Sequence, residues 1–154
     1  MKVPVYTQLI DELKADEGVK NEIYLDHLGL PTCGIGHLIT ADDPESALSV
    51  GTAVSEERVQ FLFRRDIAIT IEDCKRLYPK FDKMPEEVQL IIANMMFNLG
   101  YPRLSKFVGM KSAIDSELWN VAADEMVDSK WFDQVPNRAK RLVARMRAVE
   151  SDHA

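Results

Sequence analysis

Cysteine is scarce in this 154-residue chain, and so is any long apolar run. The two thiols, Cys33 and Cys74, show no metal-ligand spacing, which points to two free thiols in a reducing compartment. No basic leader with an apolar segment opens the chain, and the most apolar run, Leu90 to Leu99, is far below the ~20 residues that span a bilayer. The expectation is a protein with no signal peptide, no anchor and no membrane insertion. Cations are outnumbered, with 19 Lys and Arg against 25 Asp and Glu, and the net charge of -6 argues against nucleic acid as a general partner. Repeats and low-complexity tracts are also missing. What remains, 46% hydrophobic and 29% charged residues, is the composition of a folded globular chain. Its length suits one compact domain, or two small lobes sharing a connecting element.

Tyr6, Leu9, Ile10 and Leu13 fall at the i, i+3, i+4, i+7 spacing of an amphipathic helix that Gly18 is placed to stop, so Glu17 sits at a helix C-terminus. From Ile23 to Ile39, short runs broken by "HLGLP" and two glycines predict a small antiparallel meander, the one convincing β region. Pro44 in "ADDPES" can start a short helix. A long helix follows from a Ser55 N-cap, its apolar face running from Val59 through Leu62, Phe63, Ile67, Ile71 and Cys74 to Leu77. The stretch Val88 to Leu99 is apolar almost all round, as a core helix is, except for Asn94 and Asn98. These two share a face that either hydrogen-bonds within the core or lines a cleft. Shorter helices are expected over Phe107 to Ile114 and Leu118 to Val127, and Pro136 opens the last one.

Taken singly, Glu17 in "ADEG" reads as a solvated acid and Asp26 as a turn cap before "HLGLP". Thr32 carries more weight. Alternation along a strand through "TCGIGH" puts Thr32, Gly34 and Gly36 on one bare, polar face and Cys33, Ile35 and His37 on a core-like face. The lone "GIG" is weak as a phosphate loop, because no glycine fingerprint opens a helix there.

Glu17, eight residues, Asp26, five residues, Thr32, then "GIGH": this spacing resembles the lysozymes of T-even phages and their relatives. The resemblance extends over most of the chain, through "DEG", "IY.D", "LF..D" at Leu62 to Asp66, "ANMMF" in the core helix, and Trp131 to Arg141 with "PNRAKR". It implies an α+β, mostly helical fold of one lysozyme domain over residues 1–154. A small β-containing lobe (about 17–54), a linking helix (about 55–78) and a helical lobe (about 79–154 plus 1–16) would enclose an active-site cleft. The implied activity is hydrolysis, with inversion, of the β-1,4 bond after N-acetylmuramic acid in peptidoglycan. Such chemistry needs one carboxylic acid for the leaving oxygen and a carboxylate on the opposite side of the sugar. Glu17 would be the acid, while Asp26 with Thr32 would orient the attacking water.

Other roles follow from the same resemblance. His37 would pair with Asp66, an acid that interrupts the apolar stripe of the long helix, and tie the β lobe to it. Cys33 would be a packed thiol, and Trp119, Trp131 and the methionines would belong to the core. Arg138 would lie near Glu17, with Asn94 as structural support, and Leu38, Phe97, Asn98 and Lys130 would contact the glycan. The expected partner is the peptidoglycan glycan strand, met by a monomer without metal or cofactor, held in the host cytoplasm until a separate holin releases it to the wall. The chain departs from the family's best-known member in a shorter segment between Thr40 and Val54 and in its acidic charge. Five cations from Arg138 to Arg147 are the expected source of local attraction to an anionic wall. Rival readings are a transglycosylase and a non-catalytic wall-binding or inhibitory protein, whose usual signature would be loss of an acid. All three trio residues are present.

Overall fold

The computed structural model of the chain describes residues 1–153, with side chains through residue 149. The architecture is α+β and mostly helical, with one three-stranded antiparallel sheet. Two compact units divide it, Thr7–Ile69 and Met1–Tyr6 with the chain from Thr70 onward, and the division falls inside the helices α1 (Val3–Glu17) and α2 (Glu56–Leu77).

In the first unit α1 buries Leu9 and Leu13 completely and stops at Gly18, whose φ of 72° is one that L side chains rarely adopt and whose amide donates to the Lys14 carbonyl. The sheet runs β1 (Lys20–Leu25), β2 (Pro31–Gly34) and β3 (His37–Leu38), in that order. Residues 51–54 cover the outer edge of β1, where the Ile23 amide donates to Thr52 O at 2.9 Å and the Gly51 amide to Ile23 O at 2.7 Å. The predicted single strand through "TCGIGH" does not form. Gly34 (φ 64°) and Gly36 (φ 61°) turn the chain, so that Cys33 pairs with His37 and Thr32 with Leu38 across a hairpin. Cys33, Ile35 and His37 are nevertheless all buried, as their apolar face requires, but Thr32 is buried too. Pro44–Ala47 forms a 3-10 turn, and Ser55 caps α2 by accepting the Arg58 amide on its hydroxyl. Val59, Leu62, Phe63 and Ile67 are the buried stripe of α2. Full burial stabilises by about 1.5–3 kcal/mol per large aliphatic side chain. Both cysteines are free and buried.

One polar cluster holds sheet and helix together in this unit. His37 Nδ1 lies 2.6 Å from Asp66 Oδ2 on α2, as the resemblance implies, and its Nε2 lies 2.8 Å from Asp43 Oδ2 in the loop before the 3-10 turn. A ring with a carboxylate on each nitrogen is a double donor, an imidazolium. Burial opposes that charge, yet the hydrogen bonds and charges of Asp66 and Asp43 outweigh it and raise the histidine pKa. Burial likewise opposes the Asp43 carboxylate. The Thr40 amide, His37 and Arg65 overcome it and hold Asp43 far below the usual carboxylate range. Arg65 reaches Asp43 Oδ1 at 3.2 Å, and Arg58 grips Glu45 through two bonds of 3.0 and 3.1 Å, lowering that acid as well. The shortened segment after Thr40 thus supplies two buried acids to the clasp.

The second unit is built on α3 (Glu86–Leu99), buried at every position from Val88 to Met96. Four helices follow: α4 (Tyr101–Leu104), α5 (Val108–Asp115), α6 (Trp119–Val127) and α7 (Lys130–Gln134). The last, α8 (Pro136–His153), packs on both α6 and α3. Both tryptophans and Met95, Met96, Met110, Met126 and Met146 are core residues. The asparagines of α3 spend their carbonyl oxygens inside the unit. Asn94 Oδ1 accepts from Arg138 Nε at 2.7 Å, and Asn98 Oδ1 accepts from the Trp131 indole at 2.8 Å. On α8, Arg147 is paired with Asp124 and Arg145 with Glu87, so part of the expected positive surface is neutralised at source. No helix among the described residues is long and apolar enough to cross a membrane.

Removing His37 by alanine substitution takes away the cation that both Asp66 and Asp43 share and is expected to cost about 3 kcal/mol in urea unfolding. Double-mutant cycles of His37→Ala with Asp66→Asn and with Asp43→Asn should each give strongly non-additive losses. The pH dependence follows from the two shifts. The Asp43 contribution is complete above its ordinary value of 3.8 and fades as pH falls through its depressed one. The His37 contribution is complete below 6.5 and fades as pH rises through its elevated one. Stability measured against pH should therefore begin to decline above about pH 6.5 in the native chain, and this first, histidine-linked part of the decline should be missing in His37→Ala.

Candidate active site

The first unit brings the predicted trio onto one small framework. Glu17 is the last residue of α1, half-buried, with its carboxyl group lying directly over Gly36. A Cβ on Gly36 would come within 2.6 Å of Glu17 Oε1, so the hairpin turn can pass under this carboxyl only as glycine. Asp26 follows β1 and does act as a turn cap. Its Oδ1 accepts the Leu28 amide at 2.9 Å and the Leu30 amide at 2.8 Å, while its own amide donates to the Leu30 carbonyl. Both side-chain bonds fall on one oxygen, Oδ1, and neither uses Oδ2. Turn capping and a chemical role are therefore compatible in the same residue.

Thr32 sits in the middle strand and is nearly buried, its hydroxyl donating to the Leu30 carbonyl at 2.9 Å. With its hydrogen committed, the threonine oxygen can only accept from a further partner. The sheet register sets its neighbours. Tyr24 of β1 and Leu38 of β3 are its cross-strand partners on either side, and Asp26 is two residues along from Tyr24. Residues two apart on a strand, and residues directly opposite across strands, share a face. Tyr24, Thr32 and Leu38 consequently form one row, whose end residue Leu38 is 49% exposed, and Asp26 sits in the turn just past the end of β1.

Tyr24 was given no role by sequence reasoning, although alternation from Asp26 could have found it. Burial, then the charges of Glu17, Cys33 and Asp26, push its phenol pKa upward, which marks both carboxylates as neighbours of this ring. Lys20 covers the ring, with Nζ 4.8 Å from its centroid. Cys33 is pushed to about 11, chiefly by burial, so it is no nucleophile. His37 faces away from the row, committed to its two acids. Asp43, Gly36 and Tyr24 are the residues the sequence pattern missed.

The remaining candidates, Phe97, Asn98, Lys130, Asn94 and Arg138, belong to the second unit. Phe97 and Asn98 are half-buried at the end of α3, and Asn94 and Arg138 are buried against each other. Lys130 is exposed and borders a cavity of about 570 Å³ with Phe107, Met110, Trp131, Glu125 and Arg103. Among the described residues no group of three or more His, Cys, Asp and Glu could hold a metal ion.

The chain is similar over most of its length to known proteins. The profile of the phage lysozyme family matches residues 14–149. "Probable T4-type lysozyme 2" of Dictyostelium discoideum is 31% identical over 157 positions, covering 90% of this chain and 92% of that protein. "Pre-baseplate central spike protein Gp5" of Enterobacteria phage T4 is 28% identical across 87% of this chain, which matches 26% of its length. "Peptidoglycan hydrolase gp36" of Pseudomonas phage phiKMV is 27% identical across 88% of this chain and 14% of its own. With its trio embedded in a profile match that spans most of its length, the chain belongs to the phage lysozyme family and is a glycoside hydrolase of the lysozyme type.

Proposed function

We propose that this lysozyme-type enzyme hydrolyses the β-1,4 bond between N-acetylmuramic acid and N-acetylglucosamine in bacterial peptidoglycan, with inversion at the anomeric carbon. The observation that carries the reading is the placement of Glu17 over Gly36 in the unit whose sheet carries Thr32 and whose β1 turn carries Asp26. The name of the phiKMV relative, a peptidoglycan hydrolase, supports the substrate class. In this scheme Glu17 donates a proton to the glycosidic oxygen as the bond breaks. Asp26 Oδ2 accepts a proton from the attacking water, and Thr32 Oγ accepts the water's other hydrogen. The new C–O bond forms on the face opposite the leaving group. Leu38 on the sheet and Phe97, Asn98 and Lys130 in the second unit contact the glycan. Arg138 and Asn94 form a supporting pair. The biological role is that of an endolysin, a monomer that waits in the host cytoplasm and reaches the wall when a holin opens the membrane.

Glu17→Gln keeps shape and removes the transferable proton, so release of reducing ends from purified sacculi should fall by roughly 10²–10⁴ while glycan binding and melting temperature stay near those of the native chain. Asp26→Asn should be comparably damaged, and Thr32→Ala less so. Mass analysis of the products separates hydrolysis, which yields reducing muramic ends, from transglycosylation, which yields anhydro-sugars. Retention of full turnover in Glu17→Gln rejects the assignment of the acid.

Two glycine variants provide a matched pair. Gly34→Ala and Gly36→Ala share a left-handed φ, whose cost is about 1–2 kcal/mol for an L side chain. The first methyl meets Val59 of the core at 3.0 Å, whereas the second meets the Glu17 carboxyl. Gly34→Ala should lose stability yet keep its turnover well below its melting temperature. Gly36→Ala should lose turnover at every temperature. Equal activity in the two folded variants would dissociate the Glu17 position from the Gly36 turn.

A further inference from the structure

Hydrogen-bond bookkeeping at the sheet face leaves one position unfilled. A water held for in-line attack has two hydrogens and two lone pairs. One hydrogen goes to Asp26, whose Oδ1 is already taken by the Leu28 and Leu30 amides, leaving Oδ2. The second goes to Thr32, which has given its own hydrogen to the Leu30 carbonyl and so cannot donate to the water. One lone pair attacks the anomeric carbon. The other needs a donor, and neither carboxylate nor threonine can provide it.

Tyr24 brings a phenolic O–H donor to the strand beside Thr32. It is the register partner of Thr32 across β1 and β2, and opposed residues on one sheet face have Cβ atoms about 4.5–5.5 Å apart. Asp26 comes two positions later, in the turn just past the end of β1, close enough for its charge to act on the Tyr24 phenol. We infer that the Tyr24 hydroxyl donates a hydrogen bond to the attacking water and, with Asp26 and Thr32, fixes its lone pair along the line of attack. This rests on the proposed hydrolysis and adds a third water ligand to it.

Two further observations agree. The phenol is pushed up in pKa, first by burial and then by the Glu17, Cys33 and Asp26 charges, so it stays a neutral O–H donor and does not compete with Asp26 as a base. Lys20 places its ammonium over the ring, restraining the tilt that would swing the hydroxyl out of the row. Proton transfer is unchanged by the addition. Asp26 takes the water proton, Glu17 gives its own to the leaving oxygen, and Tyr24 keeps its hydrogen throughout.

Tyr24→Phe preserves the ring and its contact with Lys20 while deleting only the hydroxyl. On purified sacculi its kcat should drop about tenfold, the effect of one neutral hydrogen bond in the transition state. KM should stay within about twofold and the melting temperature should not move. Because Tyr24 and Thr32 hold the same water, Tyr24→Phe combined with Thr32→Ala should lose less in kcat than the product of the two single losses. A role in packing alone would change melting temperature or KM and leave the kcat losses multiplicative. Native turnover with Tyr24→Phe at full kcat, or with strictly multiplicative losses, overturns this inference and leaves the hydrolase reading standing. Native protein that releases no reducing ends from sacculi overturns both.

Discussion

The residue on which the first unit depends is a histidine charged from both sides. His37 begins the last strand, Asp66 lies on α2 and Asp43 in the loop between them, and one imidazolium satisfies both acids. Three separately encoded pieces of chain meet at a single ring. Buried ionic groups of this kind give weak net stabilisation relative to an apolar core, but they are intolerant of partial loss. Their geometry is also directional. The hairpin carrying Gly36 and Leu38 is fixed against α2 by bonds that have one good arrangement, whereas apolar contacts alone would accept several.

That rigidity matters because two of the proposed catalytic groups adjoin the same hairpin, Thr32 on β2 and Glu17 over Gly36. The Glu17 carboxyl is positioned by a glycine one residue before His37, and Thr32 pairs with the residue one after it. A shift of β3 would move the surface under the acid and the wall beside the threonine together. The aspartate is held independently, by two amides of its own turn. Local chain chemistry therefore orients one carboxylate and tertiary packing the other.

Much of this was legible in the sequence, for reasons that differ from element to element. The Ser55 cap, the stripe from Val59 to Leu77, the apolar run of α3 and the Pro136 start are local signals, and the helices appear within a residue or two of them. The His37–Asp66 pair was legible through motif spacing, not through any property of the single residues, and the trio is proposed on the same spacing. The strand through "TCGIGH" was misread because alternation assumes an uninterrupted strand, and two left-handed glycines fold this one back on itself. Asp43 left no trace in a segment read only as the start of a short helix, since its partners His37 and Arg65 are 6 and 22 positions away. The cations of α8 looked like free surface charge for the same reason. Their acids, Asp124 and Glu87, come from other helices.

The tryptophans carry an optical consequence. The chain has two, Trp119 and Trp131, and both are buried in the helical unit, while residues 7–69 contain none. Indole emission during a melt is thus a one-sided reporter, silent on the unit that contains Glu17, Asp26 and Thr32. Trp131 is doubly sensitive there, because its N–H is bonded to Asn98 and its surroundings become aqueous when α3 and α7 part. Far-ultraviolet circular dichroism records helices of both units. Agreement between the two curves would describe a chain that melts as one cooperative body, and a lag between them would describe two.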